Sequence, residues 1–443
     1  MREQTPRPPP VLKAESLQPN LVDRPSLSRR FWMLVPLVGI GTGLAAALLM
    51  GLLRLAERVA WGGGGLGDFE RYVAATAPLH RMLILLAGGL LVGGVALALR
   101  RKPGSGTAGG LTAAIWLQEG RLPLLQTVAS AALSVVGVGF GASLGREGAP
   151  KEAGAAIASR LGDLAGIAPE ERRLLVACGA GAGMAAVYNV PFGGALFALE
   201  ILLGTLSLPL VLPAVLISGI AVAAAWPFLP PRATYDIPQY PVSWIALAFA
   251  AAASPFIGAA SVAYMRLIVW ANERKPRSWG LAWEPALAFA ILGALAIPFP
   301  QLPGNGRDLA EPLFTGSYRL PLVAALLVLK PLVTAACLGS GAPGGLFTPT
   351  LTTGALLGAM IGHLWALLLP GPPLGLCALL GAAAFLGAAT QAPISAIVLV
   401  LELTVRLDAL TLPLIVAVAG AVLTQRLFDR RSIYSARVSG KRP

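Results

Sequence analysis

The chain has 443 residues, 56% of them hydrophobic and only 12% charged, with a mean hydropathy of +0.73; a soluble domain carries about 25% charged residues, so a water-exposed globular fold is excluded. The net charge of +13 does not point to nucleic acid, because much of it flanks the apolar runs: Arg24, Arg29 and Arg30 before the first, and Arg426, Arg430, Arg431, Arg437, Lys441 and Arg442 after the last. The positive-inside rule then predicts that both termini are cytoplasmic.

Residues 1–30 are rich in Pro, Arg and Ser and lack a short apolar stretch followed by a cleavage site, which predicts a flexible cytoplasmic segment rather than a signal peptide. Runs apolar enough to cross about 30 Å of hydrocarbon follow at 31–55, 82–99, 210–229 and 244–267. The expected fold class is an all-α polytopic membrane protein. A Pro-rich stretch at 229–243, with Asp236 and Tyr240, is expected to link a first transmembrane repeat, 31–228, to a second, 244–428. Residues 272–280 read as another exposed loop and 429–443 as a short cytoplasmic tail, with no appended cytoplasmic domain. So compact a membrane chain suggests a bacterial inner membrane.

The two halves are weakly similar. Residues 179–200 lie over 382–402, with small residues in register and a glutamate nine residues after a proline in each half, Glu200 after Pro191 and Glu402 after Pro393. Gly141 to Pro150 likewise lies over Gly341 to Pro349. Each half therefore carries one glycine-rich break, and paired breaks point to a transport site built from discontinuous helices. An odd number of spans between the copies would make them inverted-topology repeats and bring both breaks to the membrane midplane.

Irregular backbone survives at that depth only where protein or a wet cavity surrounds it. Three stretches join glycine to the start of an apolar segment: Gly104-Ser105-Gly106-Thr107, Gly145-Arg146-Glu147-Gly148-Ala149-Pro150 and Gly344-Gly345-Leu346-Phe347-Thr348-Pro349. Helix N-termini of this kind present unpaired N–H groups and the positive end of the helix dipole, which hold a dehydrated anion with partial charge only. A full positive charge would bind too tightly for release.

These stretches resemble the three signature loops of the CLC family of chloride channels and transporters, in the family's order. The segments 189–200 and 392–402 and the closing Ser432-Ile433-Tyr434-Ser435 are similar as well, so the likeness spans about residues 30 to 437. It implies a CLC fold with two inverted repeats and a homodimer with one pore per subunit. It also implies that Ser105 and Tyr434 donate hydroxyls to a central anion, with Gly106 and Gly345 in the flanking loops. The N–H groups of Leu346 and Phe347 would approach that anion, and Arg146, Glu147, Gly148 and Ala149 would form the outer site. Glu147 would be the gate: its carboxylate competes with chloride for one position and swings away when protonated, which burial of a carboxyl can favour near neutral pH.

The chain departs from the pattern at three places. Ile201 stands where exchangers of the family usually carry a second glutamate, so chloride/proton antiport and passive chloride conduction both stay open. Thr107-Ala108 replaces the usual Ile-Pro, leaving a less rigid helix start. Lys151 stands where an apolar residue is usual, and either biases Glu147, pairs with Glu152 or snorkels.

Other features have plainer readings. Glu200 and Glu402 suit helix-end hydrogen bonding better than a role as functional acids. His80 and His363 are isolated, and Cys178, Cys337 and Cys377 have no metal or disulfide spacing, so packing roles and no metal site are expected. Gly104-x-Gly106-x-x-Gly109 lacks the strand and helix that a dinucleotide fingerprint requires. An intramembrane enzyme would need a nucleophile–base pair or metal cluster, and the sequence offers neither; no cofactor is expected.

Overall fold

A computed structural model describes residues 27–63, 68–100, 110–241, 243–276, 278–405 and 410–439. Their regular secondary structure is helical throughout, as the composition predicts, with one isolated backbone bridge between Gly145 and Gly345. In the first half run α1 (Arg29–Trp61), α2 (Phe69–Ala75), α3 (Pro78–Arg100), α4 (Gly110–Leu117), α5 (Leu124–Gly139), α6 (Gly148–Ala165) and α7 (Pro169–Tyr188). They are followed by α8 (Pro191–Leu196), which widens into a π-helical stretch (Phe197–Leu203), and by α9 (Leu208–Ala225). The second half holds α10 (Trp244–Glu273), α11 (Gly280–Leu295), α12 (Arg307–Phe314), α13 (Leu320–Gly339), α14 (Phe347–Ala366), α15 (Leu374–Thr390), α16 (Pro393–Thr404), α17 (Thr411–Phe428) and the short α18 (Ser435–Ser439).

Among the described residues α1, α3, α9, α10, α13 and α17 are long and apolar enough to cross a membrane. The Ser28 hydroxyl accepts the Phe31 N–H at 3.2 Å and so starts α1 at Arg29, within the predicted leader. The spans turn large apolar side chains outward, Leu48 on α1, Leu208 on α9, Phe256 on α10 and Leu423 on α17 among them, as a lipid-facing surface requires.

The interior belongs to small residues. Every residue of α15 from Gly375 to Thr390 is buried, and α7 is nearly as enclosed. A helix apolar all round is a core helix, and alanine and glycine let its neighbours approach closely. A Cβ on Gly179 of α7 would lie 2.5 Å from the Gly154 carbonyl of α6, and one on Gly381 of α15 would lie 2.5 Å from the Gly354 carbonyl of α14. The same close contact is therefore made once in each half.

The halves also meet reciprocally. Glu200, at the end of the α8 segment, accepts the N–H groups of Ile394 and Ser395 at 3.2 and 2.6 Å, at the start of α16. Glu402, near the end of α16, accepts those of Phe192 and Gly193 at 3.1 and 2.6 Å, at the start of α8. Each helix end caps the other's beginning, so the two lie antiparallel, and each carboxylate satisfies N–H groups that a helix start leaves free. Helix-end hydrogen bonding is thus what both glutamates do. The turns before them match too: Asn189 and Gln391 adopt φ of 56° and 57° ahead of Val190-Pro191 and Ala392-Pro393.

The two breaks follow the same symmetry. After α5 and α13 the chain reverses at Gly141 and Gly341, with φ of 109° and 94° that glycine adopts without a Cβ clash. Gly145 and Gly345 then exchange N–H···O bonds of 2.7 and 2.8 Å, in an antiparallel bridge. This contact brings the N-termini of α6 and α14, from opposite halves, to one point.

Candidate anion site

Glu147 lies at that point and is fully buried. It precedes α6, and its side chain does not cap its own helix but crosses to the other half. Oε1 accepts the Phe347 N–H at 2.8 Å, at the start of α14. Oε2 accepts the hydroxyls of Tyr188 and Thr348, each at 3.2 Å, and those two hydroxyls lie 2.7 Å apart. A negatively charged group thus occupies the positive end of the α14 dipole and takes its free amide. No Cβ fits on the surrounding backbone: one on Gly345 would strike the Glu147 carboxylate, and one on Gly148 would lie 2.7 Å from the Gly345 nitrogen.

The structure gathers most of the residues singled out in the sequence. Arg146 is buried, with its guanidinium 5.1 Å from the Tyr188 ring centroid and its Nε without a partner among the described residues. Gly148 and Ala149 open α6, and Leu346 and Phe347 open α14, the last three buried. The Tyr434 ring meets Phe197 edge to face at 5.8 Å. Lys151 reaches to both rings: Nζ is 4.8 Å from the Phe197 centroid and 5.5 Å from that of Tyr434. Ser105 and Gly106, with Thr107 and Ala108, lie outside the described residues.

Lys151 neither pairs with Glu152 nor snorkels to water. It is 5% exposed and forms no ion pair among the described residues. The ammonium faces two π surfaces instead.

Tyr188 and Thr348 escaped the sequence reading. Thr348 stands inside the third glycine-rich stretch, where its hydroxyl was a visible candidate. Tyr188 closes α7 just before the Asn189 turn, and its link to Glu147 depends on how α7 packs against α6, which no local pattern states.

One cavity adjoins the cluster at Arg146 and Tyr188, and a second lies beside Ser432 and Ser435, which flank Tyr434. The first, of about 100 Å³, is lined by Arg54, Glu57, Arg146, Tyr188, Arg232 and Arg307, beside the C-terminal end of α9. The other, of about 690 Å³, is lined by Glu200, Ile201, Gln391, Arg426, Arg430 and Ser432, beside the C-terminal end of α17. Arginines line both mouths, an arrangement that concentrates anions. Among the described residues no group of three or more His, Cys, Asp or Glu side chains is placed to hold a metal.

Comparison with known proteins agrees with this geometry. Residues 88–426 match the family model described as voltage gated chloride channel. A ClcB-like chloride channel protein of Ralstonia nicotianae is 33% identical over 381 residues, which cover 82% of this chain and 86% of the relative. An H(+)/Cl(-) exchange transporter, ClcA, of Vibrio vulnificus is 32% identical over 310 residues, 67% of this chain and 66% of the relative. Among solved structures, a slow cyanobacterial Cl-/H+ antiporter superposes with a TM-score of 0.78 at 22% identity, over 92% of this chain and 97% of the other. A CLC-type fluoride/proton antiporter gives 0.73 at 21% identity, over 93% and 99%.

Proposed function

Because this chain belongs to the voltage gated chloride channel family, we propose that it carries chloride across a membrane in exchange for protons, with Glu147 as both gate and proton acceptor. The observation that carries this reading is the seat of the Glu147 carboxylate on the Phe347 N–H. That amide, at the N-terminus of a helix broken inside the bilayer, is a seat for a monovalent anion. Carboxylate and chloride cannot both hold it, so the ionised side chain closes the path.

Protonation releases the seat, because a neutral carboxyl no longer gains from the helix dipole. The neighbouring hydroxyls suit that event. Tyr188, Thr348 and Glu147 Oε2 make three mutual contacts with two hydroxyl protons between them, so a proton arriving on Oε2 supplies the third. Arg146 and the arginine-lined outer cavity would hold an anion next in line.

Passive chloride conduction is the second reading, and Ile201 favours it. This buried, apolar residue lines the inner cavity where an acid would relay protons inward. Purified protein in liposomes separates the two: in exchange the reversal potential moves with an imposed pH gradient, whereas in conduction it follows the chloride gradient alone. Liposomes that pass neither chloride nor another small anion would overturn both readings and favour an intramembrane enzyme or scaffold.

The resemblance further supports a homodimer with one path per subunit, the bacterial relatives support a bacterial inner membrane, and the flanking arginines support both termini in the cytoplasm.

A further inference from the structure

We propose that Lys151 is the fixed positive charge of the inner half of the anion path, holding the transported monovalent anion beside Phe197 and Tyr434, between the Glu147 seat and the inner cavity. The inference rests on the transport reading and adds to it a residue that sets affinity and speed.

Lys151 stands one helical turn after Glu147 on α6, and is 5% exposed. Its Nζ lies 4.8 Å from the Phe197 centroid and 5.5 Å from the Tyr434 centroid. Among the described residues it has no hydrogen-bond acceptor and no carboxylate within ion-pair distance. The acids whose charge reaches it are Glu147 and Glu152, and the other cation is Arg437 of α18. Glu147 is committed to Phe347, Thr348 and Tyr188. Glu152 feels Lys151 together with Arg437 and Lys275, and bonds to Ser130, without coming within ion-pair distance of Lys151 among the described residues.

Two ring faces recover only part of what it costs to strip water from an ammonium. A buried ammonium with no carboxylate in contact is otherwise rare, so this position calls for a mobile anion to complete it. Its place satisfies the path: Phe197 leads into Ile201, which lines the inner cavity, and Tyr434 is flanked by Ser432 and Ser435, which line it too.

A full charge beside the anion trades speed for affinity, since an ion held by a cation leaves more slowly than one held by amide dipoles. Chloride binding to the purified full chain, measured by titration calorimetry, is therefore expected to weaken about tenfold or more in K151M and to recover to within about threefold of wild type in K151R. Flux through K151M in liposomes should rise.

Crystals of the wild-type protein soaked in bromide provide a test independent of any variant's folding, with an anomalous peak expected next to Lys151 Nζ. Binding in a folded K151M within twofold of wild type, or bromide peaks elsewhere only, would overturn the proposal while leaving transport intact. Wild-type protein that neither binds chloride nor passes it would overturn the transport reading and this proposal together.

Discussion

Gly145 and Gly345 exchange backbone hydrogen bonds of 2.7 and 2.8 Å across the boundary between the two halves of the chain. This pair fixes where the broken helices meet, because a side chain on either glycine would strike the Glu147 carboxylate between them. The gate is thus clamped by backbone, and several consequences can be measured.

Glu147→Gln keeps the size of the side chain and removes its charge. In liposomes we expect it to abolish the response of the reversal potential to pH while chloride flux persists. A Gln variant that still pumps protons uphill against a chloride gradient would remove Glu147 from the coupling.

Tyr188→Phe and Thr348→Val each delete one donor to Glu147 Oε2. Hydrogen bonds to a charged acceptor contribute about 1.5–3 kcal/mol, so each change should loosen the closed seat and raise chloride flux by about tenfold or more. Removing both should exceed either alone. Unchanged flux in the double variant would show that these hydroxyls do not hold the gate.

Gly345→Ala puts a methyl where the carboxylate now sits, with the Gly148 nitrogen only 2.9 Å away. Either the bridge to Gly145 opens or Glu147 is expelled, and overpacking of this kind costs about 1–3 kcal/mol. We expect a lower Tm together with loss of pH-dependent gating. Wild-type melting and wild-type gating together would refute the clamp.

Glu200 and Glu402 cap each other's helices, so Glu200→Ala and Glu402→Ala should destabilise to a similar extent, by about 2 kcal/mol each. Protein that survives purification should retain its coupling ratio. If either change altered coupling at an unchanged Tm, that glutamate would be a proton carrier and not a cap.

Asp429 accepts the Arg431 backbone and guanidinium at 2.8–3.0 Å, just past the end of α17, and this pairing holds its carboxyl below the ordinary value of 3.8. With the folded value depressed, the stabilisation is fully present above the unfolded value and is lost as pH falls through the folded one. The turn that carries Tyr434 is therefore anchored at neutral pH and freed only in acid below about 4. Melting curves of Asp429→Asn and wild type should differ at pH 7 and converge in acid once the folded carboxyl is protonated; a difference that persisted there would assign the anchoring to another contact.

Much of this was legible in the chain itself. Hydropathy and charge marked a membrane protein, since no soluble core accommodates so few charges. Gly141 and Gly341 marked both breaks, because glycine at an apolar boundary is needed where the backbone takes a positive φ. Glu147 stood out as an acid inside a glycine-rich break. These are local properties, carried by neighbours within one or two turns.

Which groups meet was decided by tertiary structure. The Glu147 carboxylate finds an amide 200 residues away, and Tyr188 reaches Thr348 across 160. Lys151, read in the sequence as a charge biasing Glu147, a partner of Glu152 or a snorkelling side chain, became a buried charge among aromatic rings through the packing of α6, the π-helical stretch and the C-terminal turn. Residue order encodes where a helix must start, bend or face lipid; close packing of antiparallel halves alone determines which charge ends up opposite which helix end.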